Sequence, residues 1–184
     1  MTRVLNIGSL NIDHVYSVAH LARPGETIHC REYHQFCGGK GLNQSVALAQ
    51  AGADTFHAGQ FLKARLEAAG VNTGWIETVP DIASGHAVIQ VDQEGQNSIT
   101  IYGGANQTFT EQDVNRILSA FSAGDILLLQ NEVNCLPQMI RQAREKEMVV
   151  FFNPADSLRQ RTYRGAARRH GRLAPAGGGH LHHQ

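Results

Sequence analysis

Residues Cys37-Gly38-Gly39-Lys40-Gly41-Leu42-Asn43-Gln44-Ser45 decide how this chain is read, because they run without a break into Val46-Ala47-Leu48-Ala49-Gln50-Ala51. Three glycines let backbone approach where a Cβ would collide. Lys40, Asn43 and Gln44 add side-chain donors and acceptors beside a helix N-terminus, whose unpaired N–H groups favour oxygen-rich ligands. For a lone Gly-Gly the alternative is a flexible turn before an ordinary helix. A Walker A loop is excluded, since it requires Ser or Thr directly after Gly-Lys and Gly41 stands there.

Outward from that stretch the pattern alternates between strands and helices. Val4–Gly8 is a short apolar run closed by Gly, as in a buried strand. Thr27–Phe36 mixes β-formers with polar residues and predicts an exposed, sheet-like flap. The spacing predicts a helix over Asn43–Ala51, stopped by Gly52. A short strand over Thr55–Ala58 and a helix over Phe61–Ala69 follow. His86–Val91 and Ser98–Tyr102 flank the turn Asp92-Gln93-Glu94-Gly95 and form a hairpin. Thr110 begins a helix over Glu111–Phe121, with Asp113 three residues on as in a capping box. Asp125–Gln130 and Met148–Phe152 read as strands around a helix at Leu136–Lys146. That alternation predicts a parallel sheet with right-handed crossovers.

The bulk composition bounds what the chain can be. At 184 residues it has room for one real core, and 42% hydrophobic with 17% charged content fits a globular protein. No run of 18 apolar residues could span a membrane, and the N-terminus reads as a strand rather than a secretory signal. Cys30, Cys37 and Cys135 have no framework spacing, which predicts reduced thiols and a cytoplasmic setting. The zero net charge conceals an acidic stretch at 1–153 and a basic one at 154–184, where six Arg face one acid, Asp156. The acidic part argues against a nucleic-acid surface.

Gly-Gly-Lys-Gly-x-Asn-Gln leading into Ala47-Leu48-Ala49-Gln50-Ala51-Gly52-Ala53 resembles the N-terminal signature of ribokinase-like (phosphofructokinase-B-type) carbohydrate kinases. Upstream, Asn6-Ile7-Gly8-Ser9-Leu10-Asn11-Ile12-Asp13 is similar to the family's first strand and the sugar-contacting Asn-x-Asp after it. Tyr102-Gly103-Gly104-Ala105-Asn106 and Leu127-Leu128-Leu129-Gln130-Asn131-Glu132 match two further family segments in order. The resemblance runs from about residue 3 to 154. It implies an α/β fold: part of a three-layer α/β sandwich with a mostly parallel central sheet plus a small β-lid. It further implies ATP- and magnesium-dependent phosphorylation of a sugar or polyol hydroxyl in the intact family, and a homodimer through the lid.

Carried onto matching positions, the family's sugar contacts are Asn11, Asp13, Gly38, Gly39, Lys40, Asn43 and Glu132. The chemistry suits them. An ionised Asp accepts two hydroxyl protons, each Asn offers a carbonyl and an amide, and Lys40 can donate to an outer hydroxyl. Taken singly, Asp13 is a turn acid, Asn43 an N-cap and Glu132 a solvated strand end; in family order they form a site. His29, Cys30, His34 and Cys37 match no usual zinc spacing. Cys135 has no obvious base nearby, and Trp75 is expected to pack.

Two junctions depart from the family. Gln60 meets Phe61-Leu62-Lys63 where the family carries a Gly-x-Asp-x-x-Gly loop, which reads as an internal deletion or as a natural short turn. Residues 155–184 have no apolar period and are rich in Arg, Gly and Ala, so disorder is expected there. An out-of-frame reading of GC-rich DNA yields such a composition; a genuine basic terminus or a cloning scar are the alternatives. The family's Gly-Ala-Gly-Asp segment, with its catalytic base and anion hole, has no counterpart; Gly165-Ala166-Ala167-Arg168 puts Arg in the place of the base. The chain is thus expected to be an inactive remnant of a ribose-like sugar kinase, comprising a substrate-binding part at 1–154 and a tail at 155–184, in which no cofactor binds productively. A non-catalytic sugar-binding or subunit-interaction module is the rival reading.

Overall fold

A computed structural model describes residues 2–59 and 62–154 of the protein. Its centre is a five-stranded, fully parallel sheet of order β5-β4-β1-β8-β9, with β1 (Arg3–Ile7), β4 (Asp54–Gly59), β5 (Asn72–Ile76), β8 (Ile126–Gln130) and β9 (Val149–Asn153). Helices α1 (Lys40–Gln50) and α2 (Lys63–Ala68) lie on one face, α3 (Glu111–Ser119) and α4 (Leu136–Glu145) on the other. Alternation along β1 explains the two layers. Leu5 and Ile7 meet Val114, Ile117, Leu118 and Met139 of α3 and α4, with Leu127 and Leu129 of β8 beside them. Asn6, between them, turns toward α1 and hydrogen-bonds Ser45 and the Gly41 carbonyl. A smaller core of Leu10, Leu42, Leu66 and Val71 closes the α1–α2 side.

A second, four-stranded sheet of order β3-β2-β6-β7 forms the lid, built from β2 (Asn11–Ser17), β3 (Glu32–Gly38), β6 (Gly85–Val91) and β7 (Asn97–Tyr102). β2 runs antiparallel to β3 and parallel to β6, and β6 and β7 form the expected hairpin around Asp92–Gly95. Two sheets, one parallel and one mixed, give the α/β class with a lid that the resemblance implied. A single 3₁₀ turn at Gly104–Gln107 returns the chain from β7 toward α3. The capping box at Thr110 and Asp113 is formed, with reciprocal bonds of 2.8 and 3.1 Å.

Some boundaries differ from the sequence expectation, each for a physical reason. α1 starts at Lys40, three residues before the expected Asn43, because Ser9 and Glu132 take its first amide protons and let the helix begin inside the glycine run. Asn11 and Asp13 do not sit in a loop after β1; they open lid strand β2. β5 has no counterpart among the expected strands, since Asn72-Thr73-Gly74-Trp75-Ile76 shows no period, and its pairing with β4 slips between Phe56 and Ala58. The flap narrows to Glu32–Gly38. The expected disorder of 155–184 falls outside the described residues, as does the junction at Gln60 and Phe61.

Candidate functional site

In an open parallel sheet the ligand crevice lies beyond the carboxyl ends of the strands, where the strand order reverses. Here the chain passes from β1 outward to β4 and β5, then starts again on the other flank with β8 and β9. The reversal is therefore at the β1–β8 pair, and the residues just past those ends are Ser9 and Glu132. They meet: Ser9 Oγ donates to Glu132 Oε2, and Lys40 Nζ donates to Glu132 Oε1. The Lys40 backbone N–H also points at Glu132 Oε2, at 3.4 Å. Gln107 Nε2 holds the Glu132 carbonyl at 2.7 Å. Glu132 is thus the hub that joins β1, the glycine turn and β8.

The glycines are explained by backbone packing. Gly39 has φ 96° and a Cβ there would lie 2.6 Å from the Ser9 carbonyl oxygen. A Cβ on Gly41 would lie 2.5 Å from the Gly8 carbonyl carbon, so the turn and the end of β1 touch main chain to main chain. The amides at the start of α1 turn toward protein acceptors. Leu42 N–H reaches Ser9 O at 3.1 Å and Gly41 N–H reaches Ser9 Oγ at 3.5 Å. The N-terminus expected to face an oxygen-rich ligand is largely engaged internally, and the side chains are left to present the polar surface.

Asp13 does so. Its carboxylate lies over the Gly38 Cα, where a side chain would collide with it. No hydrogen bond from the described residues reaches it. Burial, then the negative charge of Glu132, raise its pKa above the ordinary carboxylate value, with His14 opposing them. Asn43, in the first turn of α1, is exposed. Asn11 is 6% exposed and its Oδ1 accepts from Asn106 Nδ2 at 2.8 Å. Lys40 is bonded to Glu132, whose charge acts on Asp13, so these three side chains lie near one another beyond the ends of β1 and β8, while Asn11 is fastened to Asn106.

Sequence reasoning passes over two residues of the site, Asn106 and Ser9. Asn106 is buried, accepts from Leu10 N–H at 3.0 Å and donates to Leu10 O at 3.2 Å, fixing the crossing from β1 into the lid. Its signal in the sequence is Gly103-Gly104-Ala105-Asn106, a polar residue closing a glycine turn. Trp75 and Cys135 stand elsewhere. The Arg116 guanidinium covers the Trp75 ring at 5.6 Å, and the Cys135 thiol donates to Phe109 O at 3.2 Å beside the start of α4. Among the described residues no three His, Cys, Asp or Glu side chains gather to hold a metal ion. No described helix is long and apolar enough to cross a membrane.

The described residues thus combine a parallel sheet, a small second sheet and a Lys40–Glu132 pair just past the switch point of the first. The chain belongs to the pfkB family of carbohydrate kinases, whose model matches residues 1–166. It is 36% identical over 166 residues to the bifunctional ribokinase/ribose-5-phosphate isomerase A of Fructilactobacillus sanfranciscensis, covering 84% of this chain and 31% of that one. To the ribokinase of Staphylococcus aureus it is 35% identical, covering 83% of this chain and 54% of that one. The crystal structure of Cryptococcus neoformans ribokinase in complex with ADP superimposes with a TM-score of 0.71 at 34% identity, covering 85% of this chain and 52% of the other. The chain spans about half the length of the ribokinases it matches.

Proposed function

We propose that this chain supplies the sugar-binding share of a ribokinase-type kinase, holding a pentose or similar polyol between the lid and the carboxyl ends of β1 and β8. The observation that carries the reading is the Asp13 carboxylate, half-buried over Gly38 and without a hydrogen-bond partner among the described residues. A partly desolvated acceptor with open valences suits a pair of sugar hydroxyls. Lys40 and Glu132 offer a donor and an acceptor on the opposite wall, and Asn43 an amide at the mouth. A sugar entering here exchanges Lys40–Glu132 contacts for its own.

Phosphoryl transfer needs more than a positioned hydroxyl: a base, an anion hole and an oriented nucleotide. The 184 residues contain no Gly-Ala-Gly-Asp segment to supply the first two. By itself the chain is therefore proposed to bind without transferring phosphate, as an inactive remnant of the kinase. A second reading, association of two copies through the lid, is favoured by its apolar face. Phe36, Ile99 and Ile101 are 56%, 51% and 58% exposed, and the strand register puts Phe36 and Ile101 in one row with Asp13.

Calorimetric titration with ribose, deoxyribose and other pentoses tests the first reading. Asp13→Ala removes charge-assisted hydrogen bonding worth roughly 1.5–3 kcal/mol in total, so affinity should drop about 10- to 100-fold. Unchanged affinity in that variant would place the sugar elsewhere. An ADP-release assay with ATP, magnesium and the same sugars should show no sugar-dependent turnover; turnover above a blank would end the remnant reading.

A further inference from the structure

We propose that Asn6 is a positioning residue of the crevice: it fixes the Gly39–Gly41 turn, and with it Lys40, relative to the end of β8 that carries Glu132. The inference rests on the sugar-binding reading only for its consequence, not for its geometry.

Asn6 sits in the middle of β1 with no exposed surface, paired in register with His57 of β4 and Leu128 of β8. An amide buried at such a position is costly unless fully bonded. It is bonded. Nδ2 donates to Gly41 O at 2.8 Å and to Ser45 Oγ at 2.8 Å, while Oδ1 accepts from Gln130 Nε2 at 2.9 Å. Gln130 is the last residue of β8, two before Glu132, and its Nε2 also donates to Gln44 Oε1. Ser45 Oγ continues the chain to His57 Nδ1 at 2.7 Å.

Each end of this network is one or two residues from a wall of the crevice. Gly41 follows Lys40, and Gln130 precedes Glu132. A turn built of glycines has many accessible shapes and loses much entropy on ordering. Contact with Gly8 limits how close it can come, and Ser9 and Glu132 hold its amides. The directed bond from Asn6 to the Gly41 carbonyl anchors the turn from its buried side, and the Asn6–Gln130 bond ties that anchor to the opposite wall. The strand itself does not call for an amide at position 6: Val4, two residues back, and Leu128, its register partner on β8, are both apolar. The amide is explained by where it holds the turn.

The test uses the full chain and two readouts. Native-state amide exchange at Lys40, Gly41, Leu42 and Asn43 is measured without sugar in wild type, in Asn6→Val and in Val114→Ala. The last loses core packing on the opposite sheet face without touching the turn. Sugar affinity is measured in parallel. Positioning by Asn6 predicts that Asn6→Val speeds exchange at these amides at least tenfold beyond Val114→Ala at matched global stability, and weakens sugar binding at least tenfold while Val114→Ala binds as wild type does. Turn amides exchanging no faster in Asn6→Val than in Val114→Ala would overturn the proposal. Should Asn6→Val not fold, Asn6→Ser, which keeps a donor but cannot span both Gly41 and Gln130, takes its place with the same expected outcomes. If wild type binds none of the sugars, the sugar reading falls and the exchange comparison still decides the role of Asn6.

Discussion

Asp13 and His57 are both withdrawn from water, and burial pushes their pKa values in opposite directions because one is charged when deprotonated and the other when protonated. His57 has no exposed surface, and burial lowers its pKa from 6.5 to about 4, with the Gly8 backbone opposing only in part. It is neutral in the folded protein at neutral pH, its Nδ1 bonded to Ser45 and its Nε2 without a partner among the described residues. A histidine whose folded pKa lies below its unfolded one binds fewer protons when folded. Its contribution is therefore fully present above about pH 6.5 and is lost as pH falls toward 4. The full effect is on the order of 3 kcal/mol. Urea unfolding at about pH 7.5 and about pH 4.5 should show this loss in wild type, and His57→Leu should remove that part of it. An identical pH dependence in the variant would show that His57 charges freely in the fold.

Among the elements, the ends of the helices carry the strain. Glu147, just past the end of α4, has φ 57°, a left-handed conformation that costs a side-chain-bearing residue about 1 kcal/mol. Glu147→Gly should raise stability by about 0.5–1 kcal/mol in denaturant unfolding, with the crevice untouched; a loss would mean that the glutamate side chain has a role of its own. Elements with local signals are legible in the sequence itself: the Thr110–Asp113 capping box, the Asp92–Gly95 turn, and the apolar runs of β1, β8 and β9. β2 and β5 are not, since their apolar residues follow no clean alternation and their places are set by neighbours far along the chain. The candidate site shows the same division. Its residue types are visible in the glycine stretch, but Ser9 meets Glu132 123 residues away and Asn106 meets Leu10 96 residues away. Such pairings are products of topology, which no local pattern encodes.

Across the molecule, the sheet ends at β9 among the described residues, and that edge is apolar. Val149, Phe151 and Phe152 are 49%, 55% and 43% exposed. A groove of about 250 Å³ lined by Val4, Leu48, Ile126, Leu128 and Phe151 runs beside α1. An open strand edge with an apolar flank favours self-association. Phe151→Lys should therefore lower binding of an apolar-surface dye and reduce concentration-dependent light scattering, while leaving the unfolding free energy within about 0.5 kcal/mol of wild type. Unchanged dye binding would locate the sticky surface elsewhere, with the lid as the next place to look.

The central position of β1 also sets a timetable for the newborn chain. Its partner on one flank, β4, ends at residue 59, while the partner on the other, β8, ends at residue 130. At about 5–20 residues per second, a ribosome needs roughly 4–14 s to make the intervening stretch. Throughout that interval β1 has one bare edge, and Leu5 and Ile7 wait for the α3–α4 layer that will cover them. Ser9 and Lys40 are made before that delay and Glu132 after it, so the contacts that join them can form only once it has passed.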